Sequence, residues 1–417
     1  EYDVNGLPTT ESLLKNFAIV RGLVEEGKVA AAYTPTYGGV AEAVMKMALG
    51  NKIGCALTDI SMNDLFGYAY GAFVLECTCD CVSVGQCIGK TTEEYALTYG
   101  AEKVCLCCLE NTYNNVLEGV YPVNAKSQDN SEKVENISTP YTARAYSSEK
   151  FARPKVLIPA FPGTNCEYDT AKALARAGFD PEIVVVRNLT SKDVADSAAY
   201  FANAVKSAQT IFVPGGFSGG DEPDGSGKFI TAFFRNGAVR EATNEMLKVR
   251  EGLMCGICNG FQAIVKLGLV PFGEIVDTDE TCPTLTFNKI GRHQSRLVSL
   301  RVASNKSPWL AETKVGEVYK VAISHGEGRF IANDATLETL IKNGQVATQY
   351  ADEFGNATMN IDYNPNGSVM AIEGITSPDG RVFGKMGHTE RWNNGLYKNV
   401  PGEYDMKLFE SAAKYFR

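Results

Sequence analysis

A cysteine at the centre of a glycine-flanked run is the residue best placed in this sequence to act as a nucleophile. Cys258 lies in Gly256-Ile-Cys-Asn-Gly260, between an apolar stretch typical of a strand and one typical of a helix. This is the nucleophile-elbow pattern with cysteine in the place of serine. The N-terminus of the helix predicted over residues 259–266 favours the thiolate, which is the nucleophilic form. The run predicts attack on an acyl group; the alternative is a buried cysteine in a glycine-rich turn.

A base for that cysteine has to come from a short list, because the chain has only three histidines. Two of them lie in a His-x-Glu pattern, His325-Gly-Glu327 and His388-Thr-Glu390. A carboxylate two residues away can hold an imidazole in one tautomer if the backbone bends. His388 follows an apolar run that is typical of a late strand, whereas His325 lies in a polar, glycine-rich turn. The residues alone leave both histidines as candidates, for catalysis or for a structural role.

An oxyanion hole is predicted from backbone N–H groups. One donor is the N–H of Asn259, directly after the nucleophile, and the other belongs to the glycines of the run 214–221, Pro-Gly-Gly-Phe-Ser-Gly-Gly-Asp. Gly215 and Gly216 let bare backbone approach a developing oxyanion. A plain flexible loop is the alternative interpretation. A phosphate-binding loop is disfavoured because its lysine and hydroxyl residue are not in place.

The elements around these residues alternate between strand and helix from Lys155 onward. Apolar runs at 156–160, 182–186, 210–213 and 253–256 are typical of strands, and helices are predicted at 169–177 and 259–266. This alternation predicts a doubly wound, mostly parallel sheet, whose active site lies at the carboxyl ends of its strands. Asn165, Gly215, Gly216 and Cys258 all fall at that edge.

Three segments are predicted along the chain. Residues 1–121 mix helical and strand patterns, residues 122–153 are polar and typical of an interdomain linker, and residues 154–417 hold the alternating α/β pattern. A length of 417 residues favours two domains. The sequence starts at a glutamate rather than a methionine, so we expect a fragment of a longer polypeptide.

Composition excludes several classes of protein. The net charge is -9 with no basic patch, so a nucleic-acid partner is not expected. The apolar runs are too short to span a bilayer, and no signal peptide is visible. We therefore expect a cytoplasmic protein without a membrane partner.

The 12 cysteines do not predict a disulfide framework in the absence of a secretory signal. Cys77, Cys79 and Cys81 alternate, which on a strand would place them on one face. Their spacing lacks the CxxC pairs usual for zinc, and no histidine precedes residue 293. The main interpretation is cysteine as a small apolar residue, with no metal site assigned; metal binding by the segment 77–108 is the alternative.

Several segments in order carry a family resemblance. These are the runs at 159–165 (PAFPGTN), 215–221 (GGFSGGD), 256–262 (GICNGFQ), 324–329 (SHGEGR), 364–368 (NPNGS) and 387–391 (GHTER). Together they resemble the class I (triad) glutamine amidotransferases, and among these the glutaminase portion of the phosphoribosylformylglycinamidine synthase family in its large single-chain form. The run at 38–54 is similar to the C-terminal subdomain of that family's synthetase half.

The resemblance implies a flavodoxin-like doubly wound glutaminase domain preceded by an α+β, aminoimidazole ribonucleotide synthetase-like C-terminal subdomain. It selects His388 and Glu390 as the partners of Cys258, with Thr389 where the family usually has proline. It gives the oxyanion role to Gly216 and Asn259, and places Gln262 near bound glutamine. His293 stands where an aromatic residue is expected and receives no role.

Cofactor and partner expectations also follow from the resemblance. The glutaminase domain would need no cofactor, whereas the full enzyme would use ATP and Mg²⁺. The implied partners are glutamine and the N-terminal synthetase half of the same chain. The fragment alone is expected to release ammonia weakly and not to make the amidine. The competing hypotheses are another cysteine hydrolase of this fold and a regulatory module without catalysis.

Overall fold

The computed structural model describes residues 1–79, 84–122, 134–220, 227–393, 395–397 and 400–417. The chain forms two compact units, the first comprising Glu1–Val123 with Tyr397–Val400 and the second Asn124–Leu396 with Pro401–Arg417. Within the described ranges, no helix is both long and apolar enough to cross a membrane.

The first unit is α+β. Its elements are α1 (Thr10–Glu25), β1 (Val29–Tyr33), α2 (Gly39–Asn51), β2 (Gly54–Leu57), α3 (Met62–Phe66), β3 (Val74–Cys77), β4 (Gly89–Thr92), β5 (Ala96–Tyr99), β6 (Glu102–Cys105) and α4 (Leu106–Asn115). Strands β1 and β3 pair antiparallel, and a second sheet has the order β4-β2-β5-β6. A small apolar cluster of Val44, Leu57, Ile60 and Leu65 holds α2, α3 and the second sheet together.

The expected alternation of cysteines along a strand is wrong at Cys79. Strand β3 ends at Cys77, so Cys79 lies beyond it, and Cys81 lies outside the described residues. The expectation of apolar cysteines also fails for Cys77, whose side chain is exposed. The partner strand β1 begins at Val29, which pairs with Cys77, so no strand lies opposite Cys79 to continue the pairing.

The second unit is built on a nine-stranded sheet. The strands of this unit, nine of them in the large sheet and two in a small separate one, are β7 (Lys155–Ala160), β8 (Asp180–Val185), β9 (Thr210–Val213), β10 (Leu253–Ile257), β11 (Thr284–Thr286), β12 (Gln294–Val302), β13 (Val318–His325), β14 (Arg329–Ile331), β15 (Val346–Ala351), β16 (Ile372–Thr376) and β17 (Val382–Lys385). The sheet order is β13-β12-β15-β16-β17-β10-β9-β7-β8, and β11 pairs separately with β14. The predicted strands 156–160, 210–213 and 253–256 are all present.

The helices of the second unit are α5 (Glu167–Ala177), α6 (Ser191–Val205), α7 (Lys228–Phe234), α8 (Gly237–Lys248), α9 (Asn259–Lys266), α10 (Leu269–Phe272), α11 (Asp334–Lys342) and α12 (Leu408–Tyr415). Helices α5 to α8 connect strands of the parallel half of the sheet, α9 and α10 follow β10, α11 precedes β15, and α12 follows β17. The order β17-β10-β9-β7-β8 is parallel throughout and has the doubly wound alternation that the sequence predicts.

The other half of the sheet is antiparallel, which the sequence did not predict. Strands β13, β12, β15, β16 and β17 pair antiparallel in that order. No crossover helix lies between β12 and β13 or between β16 and β17 in this described part of the chain, and short connections of this kind join antiparallel neighbours. The fold is therefore mixed α/β with one large central sheet.

The described part of the predicted linker packs on the second unit. The N–H of Ile137 donates to Oε1 of Gln349 at 2.9 Å, and the N–H of Phe151 donates to the carbonyl of Phe416 at 2.8 Å. Residues 123–133 lie outside the described residues. These contacts are compatible with a linker and with a part of the second unit. The linker boundaries at 122–153 and the identity of the first unit therefore stay predictions.

Candidate active site

Cys258 occupies a strained turn between β10 and α9. Its backbone has φ 53° and ψ −109°, a region that a residue with a side chain adopts at a cost. A Cβ on Gly260 would lie 2.0 Å from the carbonyl oxygen of Val213, and one on Gly256 would lie 2.7 Å from that of Gly260. Only glycine permits these approaches, so the two glycines allow strand and helix to meet around Cys258 as the sequence predicts.

His388 and Glu390 form a buried pair just beyond the end of β17. Nδ1 of His388 lies 2.6 Å from Oε1 of Glu390, and both side chains are almost fully buried. The pairing holds the ring with Nδ1 toward the carboxylate, while Nε2 has no hydrogen-bond partner among the described residues. Burial of Glu390 favours its neutral carboxyl and would raise its pKa. The electrostatic interaction with His388 and the hydrogen bond from that ring outweigh burial, so the pKa of Glu390 is lowered. An ionised Glu390 can therefore orient the imidazole.

Gly215 shows how close the cysteine and this histidine are. A Cβ placed on Gly215 would lie 2.7 Å from Cε1 of His388 and 3.3 Å from Cβ of Cys258. The two side chains therefore flank the same glycine. The backbone also ties them, because the N–H of Cys258 donates to the carbonyl of Lys385, at the end of β17. The arrangement brings a cysteine, a histidine and a carboxylate to one edge of the sheet, the set of groups that nucleophilic catalysis by a thiol requires.

His325, the other candidate base, has a different partner. Its Nε2 lies 2.9 Å from Oδ1 of Asn366, so the ring hydrogen bonds with an amide rather than with a carboxylate. Burial lowers the pKa of His325 to about 3, which keeps the ring neutral. The geometry therefore favours His388, whose partner Glu390 is ionised, over His325.

Two backbone N–H groups are available for an oxyanion. Asn259 begins α9, and its N–H points toward the Cys258 sulfur. Gly216 faces Thr164 in an isolated antiparallel bridge whose hydrogen bonds come from Asn165 and Phe217. The bridge does not use the N–H of Gly216. Both groups thus lie beside the elbow, on the loops where the sequence predicts them.

Gln262 is buried and both ends of its amide are engaged within the protein. Its Nε2 donates to the carbonyl of Glu327 at 2.6 Å, and its Oε1 accepts from Nδ2 of Asn259 at 2.9 Å. The Oδ1 of Asn259 in turn accepts from the N–H of Ser218 at 3.1 Å. This chain of hydrogen bonds fixes the loop of Gly216 relative to α9. A contact between Gln262 and a substrate stays a prediction.

A fully buried ion pair lies beneath the His388 loop. Lys385 Nζ lies 3.6 Å from Oε1 of Glu373, and neither side chain is exposed. The ammonium also donates to the carbonyl of Gly387 at 2.9 Å and to Oγ1 of Thr389 at 3.0 Å. Glu373 accepts from the N–H of Gly387 at 2.6 Å. The pair therefore holds the residues on both sides of His388, and the threonine at position 389 contributes a hydrogen-bond acceptor that proline lacks.

Cys166 and Arg391 are site residues that the sequence reasoning missed. Sγ of Cys166 lies 3.8 Å from Nδ1 of His388 and accepts from Nη2 of Arg391 at 3.0 Å. Burial raises the pKa of the Cys166 thiol to about 12. The residue directly follows the predicted strand-end position Asn165, which is the only sequence feature that could have indicated it.

Two groups of described residues bring potential metal ligands together. Cys166, His388 and Glu390 place ligand atoms within 4.8 Å of one another, as do Cys105, Cys107 and Cys108 in the first unit. In the first group the guanidinium of Arg391 already occupies a position against the Cys166 sulfur. A second cation there would be repelled, so the donor set suits acid–base chemistry better than a metal.

The sequence predicts that the N-terminus of helix α9 favours the thiolate form of Cys258, but the surroundings of the sulfur have the opposite effect. Burial raises its pKa, assisted by the charges of Cys166 and Glu390, while Arg391 and the N–H of Asn259 oppose this more weakly. The free protein therefore holds Cys258 as a thiol. A nearby base must remove the proton when the residue reacts.

The raised pKa predicts how Cys258 reacts with iodoacetamide in reduced, chelator-treated protein. Only the thiolate reacts, so the rate at Cys258 should rise about tenfold per pH unit through the neutral range, without a plateau. Cys105, whose pKa is lowered to about 7, should be alkylated before it at neutral pH. Peptide mass spectrometry over a pH series measures both rates. A plateau for Cys258 near pH 7, roughly where an activated thiolate levels off, would contradict this.

The chain is similar in sequence to a known protein family. The family model of the CobB/CobQ-like glutamine amidotransferase domain matches residues 153–416. Phosphoribosylformylglycinamidine synthase subunit PurQ from Methanococcus maripaludis is 36% identical over 257 residues, covering 61% of this chain and 87% of the relative. The same subunit from Chlorobaculum tepidum is 32% identical over 259 residues, covering 61% and 94%. The solved structure of PurLQS from Thermotoga maritima aligns with a TM-score of 0.45 and 26% identity, covering 64% of this chain and 100% of that one.

Proposed function

Because this chain belongs to the CobB/CobQ-like glutamine amidotransferase family, we propose that it hydrolyses glutamine at Cys258 and supplies ammonia to phosphoribosylformylglycinamidine synthesis. The observation that carries the proposal is the buried pair of His388 and Glu390 beside the strained cysteine. Nε2 of His388, which has no hydrogen-bond partner among the described residues, is the atom that a general base would use.

The first half of the reaction forms a thioester. His388 Nε2 takes the thiol proton as the Cys258 sulfur bonds to the side-chain amide carbon of glutamine. The amide oxygen becomes an oxyanion, which the N–H groups of Asn259 and Gly216 stabilise. The carbon–nitrogen bond then breaks, and His388 returns the proton to the leaving nitrogen, which departs as ammonia. Glu390 stabilises the imidazolium while it exists.

The second half regenerates the thiol. Water attacks the thioester carbon, His388 accepts a proton from it, and the carbon–sulfur bond breaks. The proton returns to the sulfur of Cys258 and glutamate leaves. Atoms balance as glutamine plus water giving glutamate plus ammonia. The high pKa of the resting thiol is compatible with this cycle, because the proton moves only when substrate is in place.

The proposed use of the ammonia is inferred from the relatives, which are PurQ subunits of phosphoribosylformylglycinamidine synthase. We propose that a synthetase partner uses ATP and Mg²⁺ to activate the amide oxygen of formylglycinamide ribonucleotide, and that ammonia displaces phosphate to give the amidine. A mixed α+β unit precedes the matched residues in this chain, as a single-chain enzyme would require.

Product analysis tests the proposed chemistry. The chain is incubated with glutamine, and glutamate and ammonia are quantified; the proposal expects equal amounts of each. Added hydroxylamine should divert the thioester to γ-glutamyl hydroxamate at the expense of glutamate. Asparagine, one methylene shorter, is the control substrate and should react much more slowly. Absence of glutamate formation, or glutamate formation that hydroxylamine does not divert, would overturn the thioester route.

Gly216→Ala should strongly reduce glutamine hydrolysis. The glycine has φ +151°, and a Cβ there would lie 2.6 Å from the carbonyl oxygen of Gly163 and 2.7 Å from Cα of Thr164. Backbone atoms cannot move cheaply, so the N–H of Gly216 would be displaced. Loss of one oxyanion donor lowers kcat by about 10²–10³-fold.

Gly219→Ala in the same loop is the matched control for this prediction. Gly219 also has a positive φ, but among the described residues its Cβ would meet only Phe229, at 3.6 Å. The variant should lose about 1 kcal/mol of stability from backbone strain and keep most of its kcat. Equal losses of kcat in the two variants would show that the loop tolerates no substitution and would remove the argument for the Gly216 N–H.

A further inference from the structure

Three cysteines of the first unit meet at the start of a helix. Cys105 ends β6 and caps α4, and Cys107 and Cys108 lie in the first turn of that helix. Their sulfur atoms lie within 4.8 Å of one another, and all three residues are exposed. Leu106 between them is fully buried and anchors the turn. We refer to Cys105, Cys107 and Cys108 as the three-cysteine cluster.

The apolar interpretation of cysteine does not account for this cluster. Small apolar cysteines are buried, as Cys255 and Cys166 are in the second unit. Exposed thiols gain nothing from apolar burial. None of the three forms a disulfide. Their grouping within one helical turn places three soft ligand atoms on a solvent-accessible face.

The spacing of the sulfur atoms fits coordination of one thiophilic ion. Zinc binds thiolates at about 2.3 Å, so sulfur atoms in a tetrahedral site lie about 3.8 Å apart. The sulfurs of the cluster lie within 4.8 Å of one another, and all three residues are exposed. The short β6-to-α4 junction therefore needs no backbone rearrangement to close around an ion.

The local charges also suit a cation. Glu110 lies one turn after Cys107 on the same helix face, and accepts from the Tyr95 hydroxyl at 3.0 Å. Its carboxylate is the nearest charged oxygen along the helix that could complete a fourth position.

We propose that Cys105, Cys107 and Cys108 bind one thiophilic d¹⁰ metal ion, with zinc as the test ion, and that Glu110 or water completes the coordination. Soft thiolates select such ions over magnesium or calcium. Binding releases the protons of the ionising thiols, so affinity should rise with pH. This site is separate from the residues proposed for glutamine hydrolysis and does not depend on that proposal.

A metal titration of the whole chain tests the site. Reduced, chelator-stripped protein is titrated with cadmium, which reports thiolate binding by an ultraviolet charge-transfer band, and zinc retained after gel filtration is measured in parallel. The proposal expects saturation at one equivalent. The variant carrying Cys105→Ser, Cys107→Ser and Cys108→Ser should lose that equivalent. Loss of an outer-shell partner of a metal ligand weakens metal binding by about 10–100-fold. Each single cysteine-to-serine variant removes a direct ligand and should weaken binding by more than that.

Two controls separate this site from other thiols. Cys77→Ser with Cys87→Ser removes two other exposed cysteines of the same unit, and Cys166→Ser removes the second group of potential ligands. Both controls should keep the full equivalent. Retention of that equivalent by the three-cysteine variant, or its loss in either control, would overturn the assignment.

Protection from alkylation tests the same site without a substitution. Zinc should slow the reaction of iodoacetamide with all three cysteines of the cluster in the unaltered chain, and leave Cys77 and Cys87 unaffected. Mass spectrometry reads each cysteine separately. Equal alkylation rates of the cluster with and without zinc would contradict the proposal, whatever the variants show.

Discussion

Cys258→Ala should abolish glutamine hydrolysis. Removing the nucleophile of an acyl-transfer enzyme costs roughly 10⁶-fold in kcat, as measured for a serine protease. Here the substitution removes only Sγ from a fully formed elbow, and alanine fits the space that cysteine leaves. Glutamate formation by the variant should therefore fall to background, while the second unit stays folded. A glutamate-coupled assay under saturating glutamine measures the loss.

Cys255→Ala is the matched control for this variant. Cys255 lies three residues earlier on β10 and is fully buried in the core of the second unit. Its loss leaves a small cavity and should cost about 1 kcal/mol of stability without changing kcat. Comparable hydrolysis by Cys258→Ala and the unaltered chain would show that another group performs the chemistry, with Cys166 the first to test because its sulfur lies beside the same histidine.

Lys385→Met should destabilise the second unit by about 3–5 kcal/mol, because it leaves a buried charge without its partner. Lys385 and Glu373 are both fully buried, and methionine fills the volume of the lysine stem but supplies no charge. The hydrogen bonds from Lys385 to Gly387 and Thr389 are lost as well. Chemical denaturation followed by far-ultraviolet circular dichroism measures the free energy of unfolding.

Two further variants make this prediction specific. Lys172→Met removes an exposed lysine of α5 and should change stability by no more than about 0.5 kcal/mol. Lys385→Met combined with Glu373→Gln should recover much of the loss, because glutamine is neutral and still accepts from the N–H of Gly387. Equal stability of Lys385→Met and Lys172→Met would mean that the buried pair contributes little.

The elbow and its flanking elements could be predicted because their causes are local. Glycines two positions either side of Cys258 are required by close backbone contacts, and strand β9 and helix α9 have the predicted bounds. Alternation of strands and helices likewise predicted the parallel half of the sheet. The antiparallel half was not predicted, since most of its strands were not recognised in the sequence and the pairing of β12 with β15 joins strands that are not consecutive along the chain.

The choice between two histidines shows where local patterns stop. His325 and His388 are both followed two residues later by glutamate, and the residues alone kept both as candidates. The three-dimensional structure differs between them, since His388 pairs with its glutamate whereas His325 pairs with Asn366, 41 residues later. A hydrogen bond to a distant amide has no counterpart in a short motif.

The buried ion pair could have been suspected from the sequence, though its partners could not. Lys385 and Glu373 each lie in an otherwise apolar strand, and a charge in such a run is rarely buried unless paired. Glu373 lies on β16 and Lys385 on β17, and the antiparallel pairing of these two strands brings the charges together. The sequence therefore indicates that each charge needs a partner, and only the fold identifies which partner it has.

Covalent trapping of the nucleophile is the most direct test of the Cys258, His388 and Glu390 assignment. The chain is incubated with a diazo-ketone analogue of glutamine, and the adduct is located by peptide mass spectrometry. We expect labelling of Cys258 in the unaltered chain and in His325→Ala, and its loss in His388→Ala. Labelling of another residue, or labelling of Cys258 that is insensitive to His388→Ala, would contradict the proposed active site.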